Sequence, residues 1–230
     1  MNAGTALSKL IAACPLKDSW LDEPYGAYYF NFKKEVTSAL YCVTPTKGVI
    51  EQFERGGYDI LISHHPFIAR VPQVVLHTAL DCTKGGLNDQ WRDAIGVKNA
   101  KHFDDNLGWY GEIEPTDING LRKKVRNFIG VDPIGAVYSD LDTIRSVVIC
   151  SGLGGMVERE AYATGADCYI LGEAVYSPLY SPFPAMIEVG HTLSEYLPGL
   201  RFVRNALGPD IIVHGADLSV DRYNNECRGL

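Results

Sequence analysis

Three short segments concentrate side chains of the types that bind metal ions. The segments are ISHHP, LHTALDC and GHTLSEY, and their ligand-type residues are His64, His65, His77, Asp81, His191 and Glu195. In the second and third segments a carboxylate follows a histidine by four residues, so on a helix both side chains would lie on one face. Imidazole and carboxylate ligands suit zinc, iron, manganese or nickel, and the sequence lacks the paired cysteines of structural zinc sites. Metal binding is therefore the first chemistry to consider.

The adjacent histidines His64 and His65 predict a pair of ions rather than one. Neighbouring side chains at a strand end point apart, so each imidazole is expected to bind a different ion. A carboxylate has two oxygens and can join two ions, which together activate a water molecule at neutral pH and polarise a substrate oxygen. Other interpretations stay open at this point. The pair could be a general base with a helper, or exposed polar turn residues, with His191 an N-terminal helix residue.

The composition of the chain excludes several classes of partner. Of its 230 residues, 46% are apolar and 21% are charged, with a net charge of −7 and a pI of about 5.3. Such an acidic chain is not built to attract nucleic acid, and no apolar run is long enough to span a membrane. The N-terminus lacks the basic region of a secretory signal, and the six cysteines, Cys227 among them, show no paired pattern. We expect a protein of the reducing cytoplasm.

The first half of the chain predicts a β–α–β unit. A strand is expected at 38–45, a helix that ends at a Gly-Gly pair after it, and a second strand at 60–62. His64 and His65 follow that second strand. In open α/β sheets, ligands bind beyond the carboxyl ends of the strands, which is where this unit puts the two histidines.

A similar unit recurs in the second half. A strand at 144–150, a helix at about 155–164 and a strand at 167–171 lead to Glu173. The glycine-rich turn SGLGGM lies between the first two elements. Its backbone amides could cradle an anion, or it could be a tight turn that packs the helix against the sheet, and both interpretations stay open.

The chain is expected to form one domain made of two α/β halves, about 1–110 and 111–230. The stretch 106–120, NLGWYGEIEPTDING, is rich in turn-forming residues and is the best candidate for the joint between them. The basic cluster LRKKVRNFIG has apolar residues at helical spacing. It therefore predicts a solvated helix face rather than a nucleic-acid site.

The order of these segments resembles the Nif-three-like family of dinuclear metal-centre proteins, which includes the YbgI-type proteins. YDILISHHPFI is similar to the family's strand and His-His-Pro turn, and HTALDCTKGGLND to its His-Thr-Asn-Leu-Asp segment and the Gly-Gly stretch after it. CSGLGGMVEREAYATGADCYILGE resembles its glycine turn, helix and next strand, and VGHTLSEY its C-terminal Gly-His-x-x-x-Glu. The resemblance covers nearly the whole chain, in the short form without an inserted middle domain. It implies an α/β fold of two similar lobes with mixed sheets flanked by helices.

The resemblance also implies five metal ligands and two divalent metal ions per chain. Each ion would take one histidine of the His-His pair, Asp81 would join the first ion and His191 the second, and Glu195 would bridge them. His77 and Glu173 would lie nearby, as proton carriers or as groups that contact the ligands. Family members are similar to one another in forming hexameric rings, so a homohexamer of three dimers is expected.

The expected function is that of a metal-dependent hydrolase that uses a hydroxide bridging two ions. Its reaction would be of the cyclohydrolase or phosphoesterase type, on a small-molecule or nucleotide-like substrate. Members of the family are sometimes described as GTP cyclohydrolase type proteins. An alternative stays open, a non-enzymatic metal-binding protein that acts as a metallochaperone or regulatory scaffold, because that role needs the same ligands.

Overall fold

The computed structural model describes residues 1–20, 22–177 and 180–221. The described residues form two compact units: the first contains Met1–Gly86 and residues 196–221, and the second contains Leu87–Glu195. These limits differ from the sequence-based division near residue 110, because the C-terminal part of the chain returns to the first unit. That the two units form one domain stays a prediction.

Seven α-helices and eleven strands lie in the described residues. The helices are α1 (Ala3–Ala13), α2 (Lys47–Gly56), α3 (His77–Cys82), α4 (Leu87–Ile95), α5 (Ile118–Ile129), α6 (Glu158–Ala163) and α7 (His191–Leu207). The strands are β1 (Gly26–Tyr28), β2 (Ser38–Cys42), β3 (Ile60–Ser63), β4 (Gln73–Val75), β5 (Lys98–Phe103), β6 (Gly108–Thr116), β7 (Val137–Ser139), β8 (Ile144–Cys150), β9 (Cys168–Leu171), β10 (Ala185–Glu188) and β11 (Ile212–Gly215).

The first unit contains a five-stranded mixed sheet in the order β1-β4-β3-β2-β11. Strands β4, β3, β2 and β11 are parallel, and β1 pairs antiparallel with β4 at the edge. The predicted β–α–β unit is confirmed as β2, α2 and β3. Helix α2 begins after Thr46, whose side chain accepts a hydrogen bond from the amide of Val49, and it ends at Gly57 with φ 63°. This is the glycine C-cap that the sequence predicted.

The second unit contains a six-stranded mixed sheet in the order β5-β6-β8-β9-β10-β7. Its centre, β8-β9-β10, is parallel, and the pairings on both sides are antiparallel. Strand β8 has the predicted bounds, and a 3-10 turn and the short helix α6 separate it from β9. Trp91 of α4 and Val125 of α5 share one apolar core with Val147 and Ile170 of the sheet. Burial of these side chains fixes the helices on the sheet.

The stretch 106–120 is not the turn-rich joint that its composition predicted. Gly108–Thr116 is strand β6, which pairs with both β5 and β8. A Cβ atom on Gly111 would lie 2.6 Å from the carbonyl oxygen of Lys98 on the neighbouring strand. The glycine therefore allows two backbones to approach closely, whereas the sequence analysis took it as a turn marker. The prediction was wrong for this reason.

In each unit an aspartate ties together the starts of two parallel strands. Asp59, just before β3, accepts hydrogen bonds from the amides of Thr37 (2.9 Å) and Ser38 (3.2 Å) at the start of β2. Asp167, just before β9, accepts from two amides at the start of β8 at 2.7 and 3.0 Å. Burial disfavours the carboxylate of Asp59, but these hydrogen bonds and the ion pair with Lys34 (3.0 Å) lower its pKa to about 2.

We expect Asp59→Asn to destabilise the protein by about 1 kcal/mol at neutral pH, a figure reduced for solvent screening. The amide is a weaker acceptor, and it loses the ion pair with Lys34. Because the pKa of Asp59 in the folded protein is below that in the unfolded chain, the contribution is present above about pH 4 and is lost as the pH falls towards 2. Urea unfolding of both proteins across this pH range measures it, with Asp142→Asn at an exposed site as the control. A difference in unfolding free energy that does not shrink at low pH would contradict this account.

The fold class predicted from the sequence, two α/β lobes with mixed sheets flanked by helices, is confirmed. Among the described residues, no helix combines the length and the apolar character that crossing a membrane requires. The described cysteines all carry free thiols: Cys14, Cys42, Cys82, Cys150 and Cys168. Cys227 lies outside the described residues, and location in the cytoplasm stays a prediction.

Candidate metal centre

The His-His pair lies directly after β3, where the chain leaves the sheet. The amides of His64 and His65 donate to consecutive carbonyls, of Cys42 at 3.0 Å and of Val43 at 2.8 Å. In a regular strand only alternate amides face one neighbour, so the chain turns out of the pleat here. Both histidines are buried, with 1% and 4% of their surface exposed, and their ring centres are 5.2 Å apart. The two side chains therefore do not diverge as the sequence analysis expected.

A buried glutamine fixes the turn after the His-His pair. The amide nitrogen of Gln73, in β4, donates to the hydroxyl of Ser63 (2.7 Å) and the carbonyl of Phe67 (2.8 Å). Its amide oxygen accepts from the amide of Ala69 at 2.7 Å. The hydroxyl of Ser63 donates in turn to the carbonyl of His65 at 3.2 Å. The turn is therefore held by a network in which both ends of the buried amide are bonded.

Thr44 orients the imidazole of His65, because its hydroxyl lies 2.8 Å from Nδ1 of that ring. Thr44 is itself held by the buried carboxylate of Asp221, which accepts hydrogen bonds from the amides of Val43 and Thr44, both at 2.7 Å. An imidazole held at Nδ1 binds a cation through Nε2. Because Thr44 contacts Nδ1, Nε2 is the nitrogen of His65 that is able to bind a cation.

His77, the first residue of α3, lies beside the His-His pair. Its Nδ1 contacts the carboxylate of Glu23, whose other oxygen accepts from the amide (3.1 Å) and the hydroxyl (2.5 Å) of Thr78. Burial disfavours this carboxylate, but the hydrogen bonds from His77 and Thr78 lower the pKa of Glu23. Oδ2 of Asp81, one turn further along α3, lies 3.7 Å from Nε2 of His64.

Three imidazoles meet in the first unit. The ring centre of His77 is 5.1 Å from that of His64 and 5.6 Å from that of His65. Each ring offers a nitrogen, and these three nitrogens lie within 4.8 Å of one another. We refer to these three histidines and Asp81 as the candidate ligand group of the first unit.

The glycine-rich turn after β8 packs against the first turn of α7 in the second unit. Gly152 has φ 62°, and a Cβ atom there would lie 2.3 Å from Oε1 of Glu195 and 3.5 Å from Nε2 of His191. Its amide donates to the hydroxyl of Ser194 at 2.9 Å, which donates to the carbonyl of His191 at 2.7 Å. The structure favours the tight turn over an anion cradle, because the first two amides of the turn already donate to protein side chains.

His191 begins α7 between two carboxylates. Its Nδ1 lies 2.9 Å from Oε2 of Glu173, and its Nε2 lies 3.4 Å from Oε1 of Glu195. The side chains of His191 and Glu195 are 5% and 3% exposed. Burial disfavours the imidazolium, but the negative charges of Glu195 and Glu173 raise the pKa of His191 to about 10. The negative charge of these two carboxylates stabilises the proton on His191, and it would stabilise a divalent cation at the same place.

Both units build their ligand groups in the same way. In each, a histidine begins a helix shortly after a parallel strand, a threonine follows it, and a carboxylate stands four positions further on. In each, Nδ1 of the histidine contacts a second carboxylate, Glu23 for His77 and Glu173 for His191. The likeness of HTALD and HTLSE is the signal of this repeat in the sequence.

Every residue singled out from the sequence lies in one of these two groups. The first unit holds His64, His65, His77 and Asp81, and the second holds Glu173, His191 and Glu195. Their roles as ligands or proton carriers stay predictions. Glu23 and Thr44 were not predicted, because they lie 54 and 21 residues along the chain from His77 and His65, the histidines that they contact. Gln73 was not predicted either, although it follows the His-His pair closely in the sequence.

The donors in both groups are imidazole nitrogens and carboxylate oxygens. This donor set fits divalent zinc, iron, manganese or nickel rather than magnesium or calcium, which prefer oxygen ligands alone. The buried histidine and carboxylate groups are therefore able to hold metal ions.

Several solved structures share this fold. The chain is similar to a Bacillus cereus protein related to NIF3, with a TM-score of 0.78 and 14% identity over 97% of this chain and 98% of that one. It is also similar to the protein ybgI, with a TM-score of 0.78 and 20% identity over 95% and 98%. For reduced HcgD from Methanocaldococcus jannaschii the TM-score is 0.81 and the identity 22%, over 95% and 98%. These likenesses define the class of fold, that of the NIF3-related proteins.

The sequence also establishes the family. The family model of Duf34/NIF3 (NGG1p interacting factor 3) matches residues 1–75 and 71–208, so the chain belongs to the NIF3 family. Two of its relatives carry the name GTP cyclohydrolase 1 type 2 homolog. The one from Lactococcus lactis is 26% identical over 190 residues, 71% of this chain and 74% of the relative. The one from Streptococcus pneumoniae is 24% identical over 207 residues, 76% and 78%. The resemblance stated from the motifs is confirmed.

Proposed function

We propose that this NIF3-family protein holds two divalent metal ions per chain and hydrolyses a small molecule. In this proposal the two ligand groups serve one dinuclear centre. Each histidine of the His-His pair would hold one ion, Asp81 would join the first ion and His191 the second, and the two carboxylate oxygens of Glu195 would serve both. The ions are zinc, iron, manganese or nickel, because these metals accept imidazole together with carboxylate ligands.

The observation that carries the proposal is the buried charge at the start of α7. Glu195 and His191 are almost fully buried, and Glu173, 26% exposed, adds a second carboxylate 2.9 Å from the same imidazole. Excess negative charge in a protein interior costs free energy unless a cation compensates it. Gly152 leaves room for Glu195, because a Cβ atom at this position would lie 2.3 Å from Oε1 of that carboxylate.

The proton transfers of the reaction fall to side chains of this chain. Bound divalent ions would supply Lewis-acid chemistry, polarising a substrate oxygen and lowering the pKa of water. His77, held by Glu23 at Nδ1, takes a proton from the attacking water and gives it to the leaving atom of the substrate as its bond breaks. Glu173 holds His191 at Nδ1 and is the second proton carrier, because part of its carboxylate reaches solvent.

The names of the relatives support a nucleotide-like substrate. Both the L. lactis and the S. pneumoniae proteins are named GTP cyclohydrolase 1 type 2 homolog. Hydrolysis at a purine ring carbon or at a phosphoester suits the Lewis-acid chemistry of paired metal ions. A homohexamer of three dimers is part of the same proposal.

A substrate screen tests the hydrolase. Protein loaded in turn with Zn²⁺, Fe²⁺, Mn²⁺ or Ni²⁺ is incubated with GTP, a phosphodiester or a cyclic amide, and the products are separated by chromatography. We expect turnover of at least one substrate, and a fall in kcat of about 100-fold in His77→Gln with both ions still bound. The control is His214→Gln, at an exposed histidine of β11, which should keep full turnover.

If the metal-loaded protein hydrolyses none of these substrates, the proposal that it is a hydrolase is overturned. Transfer of its metal to an apo-acceptor protein would then support the non-enzymatic alternative, a metallochaperone.

A further inference from the structure

The first unit by itself brings together three imidazoles that the proposed dinuclear centre does not use as a set. We infer that this unit alone binds one divalent cation through His64, His65 and His77. The position shares His64 and His65 with the proposed centre but takes His77 as its third ligand, and it does not depend on hydrolytic activity.

The distances between the three rings allow one ion to contact all of them. One nitrogen of each ring lies within 4.8 Å of the others. A tetrahedral zinc ion bonds imidazole nitrogens at about 2.0–2.1 Å, so the nitrogens of three imidazoles on one ion are about 3.4 Å apart. Side-chain shifts of less than about 1 Å would therefore close the set around a cation. His64 and His65 are almost fully buried, which shields such a cation from competing water.

The outer contacts of the rings are those of a metal site. Nδ1 of His77 contacts the Glu23 carboxylate and Nδ1 of His65 contacts the Thr44 hydroxyl. Metal-binding histidines commonly use one ring nitrogen for such a partner, which fixes the ring and makes the other nitrogen a better donor. Glu23 also accepts two hydrogen bonds from Thr78, so the carboxylate has one fixed orientation towards His77.

The internal repeat gives an independent reason to regard His77 as a ligand. His77 occupies in the first unit the position that His191 occupies in the second: first residue of a helix, with Nδ1 on a carboxylate and a second carboxylate one turn later. The same local construction that presents His191 to a cation therefore presents His77. The sequence likeness of HTALD and HTLSE extends to the orientation of the ring.

The cation that fits three imidazoles is a late transition metal or zinc rather than magnesium or calcium. Because the position shares the His-His pair with the proposed centre, one ion held by three imidazoles precludes a pair of ions on the same two histidines. The three imidazoles are therefore suited to hold a first ion before a second ion binds.

A double variant of the full chain isolates this position. His191→Ala with Glu195→Gln removes the ligands of the second unit, and the protein is titrated with Co²⁺ while its visible absorption is recorded. We expect one Co²⁺ per chain. With Cu²⁺ as the probe, electron paramagnetic resonance should show coupling to three imidazole nitrogens. Added to this background, His77→Gln should weaken Co²⁺ binding about tenfold or more and reduce the count to two nitrogens.

Three further variants in the same background sharpen the test. Glu23→Gln, which keeps the shape of the side chain, should also weaken Co²⁺ binding about tenfold, and it replaces His77→Gln if that protein does not fold by circular dichroism. His214→Gln, at an exposed histidine of β11, should leave the binding unchanged, and His65→Ala should abolish it. No Co²⁺ on the double variant, or binding that resists both His77→Gln and Glu23→Gln, would overturn the inference. Since no substrate is used, these results are separate from the outcome of the hydrolase screen.

Discussion

Glu195→Gln is expected to lower the metal content of the purified protein from two divalent ions per chain to one or fewer. Glutamine keeps the volume of the side chain but removes the charge, and its amide offers one oxygen where the carboxylate offers two. In the proposed centre Glu195 contacts both ions, so both lose a ligand at once. The carboxylate is 3% exposed and lies 3.4 Å from Nε2 of His191. Because it is buried, no group at the protein surface takes its place as a ligand. Elemental analysis against protein concentration measures the loss.

The matched control for this change is Glu188→Gln in the same unit. Glu188 accepts hydrogen bonds from the amides of Ala136 (3.1 Å) and Ala174 (3.0 Å) and contacts no predicted ligand in the described structure. Its replacement should cost about 1 kcal/mol of stability and leave both ions bound. Two ions per chain in Glu195→Gln would contradict the bridging role.

Gly152→Ala is expected to weaken metal binding strongly, although it replaces no predicted ligand. The new methyl group would lie 2.3 Å from Oε1 of Glu195, a distance that forces the carboxylate to move. Displacing a ligand through a neighbouring group typically weakens metal binding about 10- to 100-fold. The positive φ of 62° adds about 1 kcal/mol of backbone strain. Isothermal titration of the apoprotein with Zn²⁺ separates the loss of affinity from the loss of stability, which thermal unfolding reports.

Gly165→Ala separates strain from displacement. Gly165 has φ 73° in the same unit, and apart from its chain neighbours no residue in the described part of the chain lies within 4 Å of a Cβ there. Gly165→Ala should lose about as much stability through backbone strain as Gly152→Ala does, and it should keep its affinity for Zn²⁺. Equal affinities of the Gly152 and Gly165 variants would show that the turn does not position Glu195.

Local patterns in the sequence were sufficient to predict the elements that carry the site. The apolar run before the His-His pair is a buried strand, and the Gly-Gly pair after Arg55 ends a helix with a left-handed residue, because these features depend on near neighbours along the chain. Strand β6 was missed for the opposite reason. Whether a glycine marks a turn or a close strand contact depends on which backbone lies beside it, and only the pairing with β5 and β8 decides that.

The same limit applies to the site. Residue types and spacing identified the histidines and carboxylates, and the structure places both histidine–carboxylate pairs on helices, one beginning at His77 and the other at His191. The convergence of His64 and His65 was missed because alternation holds only inside a strand, and here Gln73 and consecutive backbone hydrogen bonds turn the chain out of it. The partner of His77 was missed because Glu23 precedes it by 54 residues.

The number of metal ions bound per chain decides whether the centre is dinuclear. The protein is purified without chelators, loaded with Zn²⁺, passed through a desalting column and analysed for metal and for amino acids in the same sample. We expect two ions per chain in the native protein and one in the double variant His191→Ala/Glu195→Gln. A native protein that retains one ion or none, or a double variant that retains two, would contradict a dinuclear centre built from these ligands.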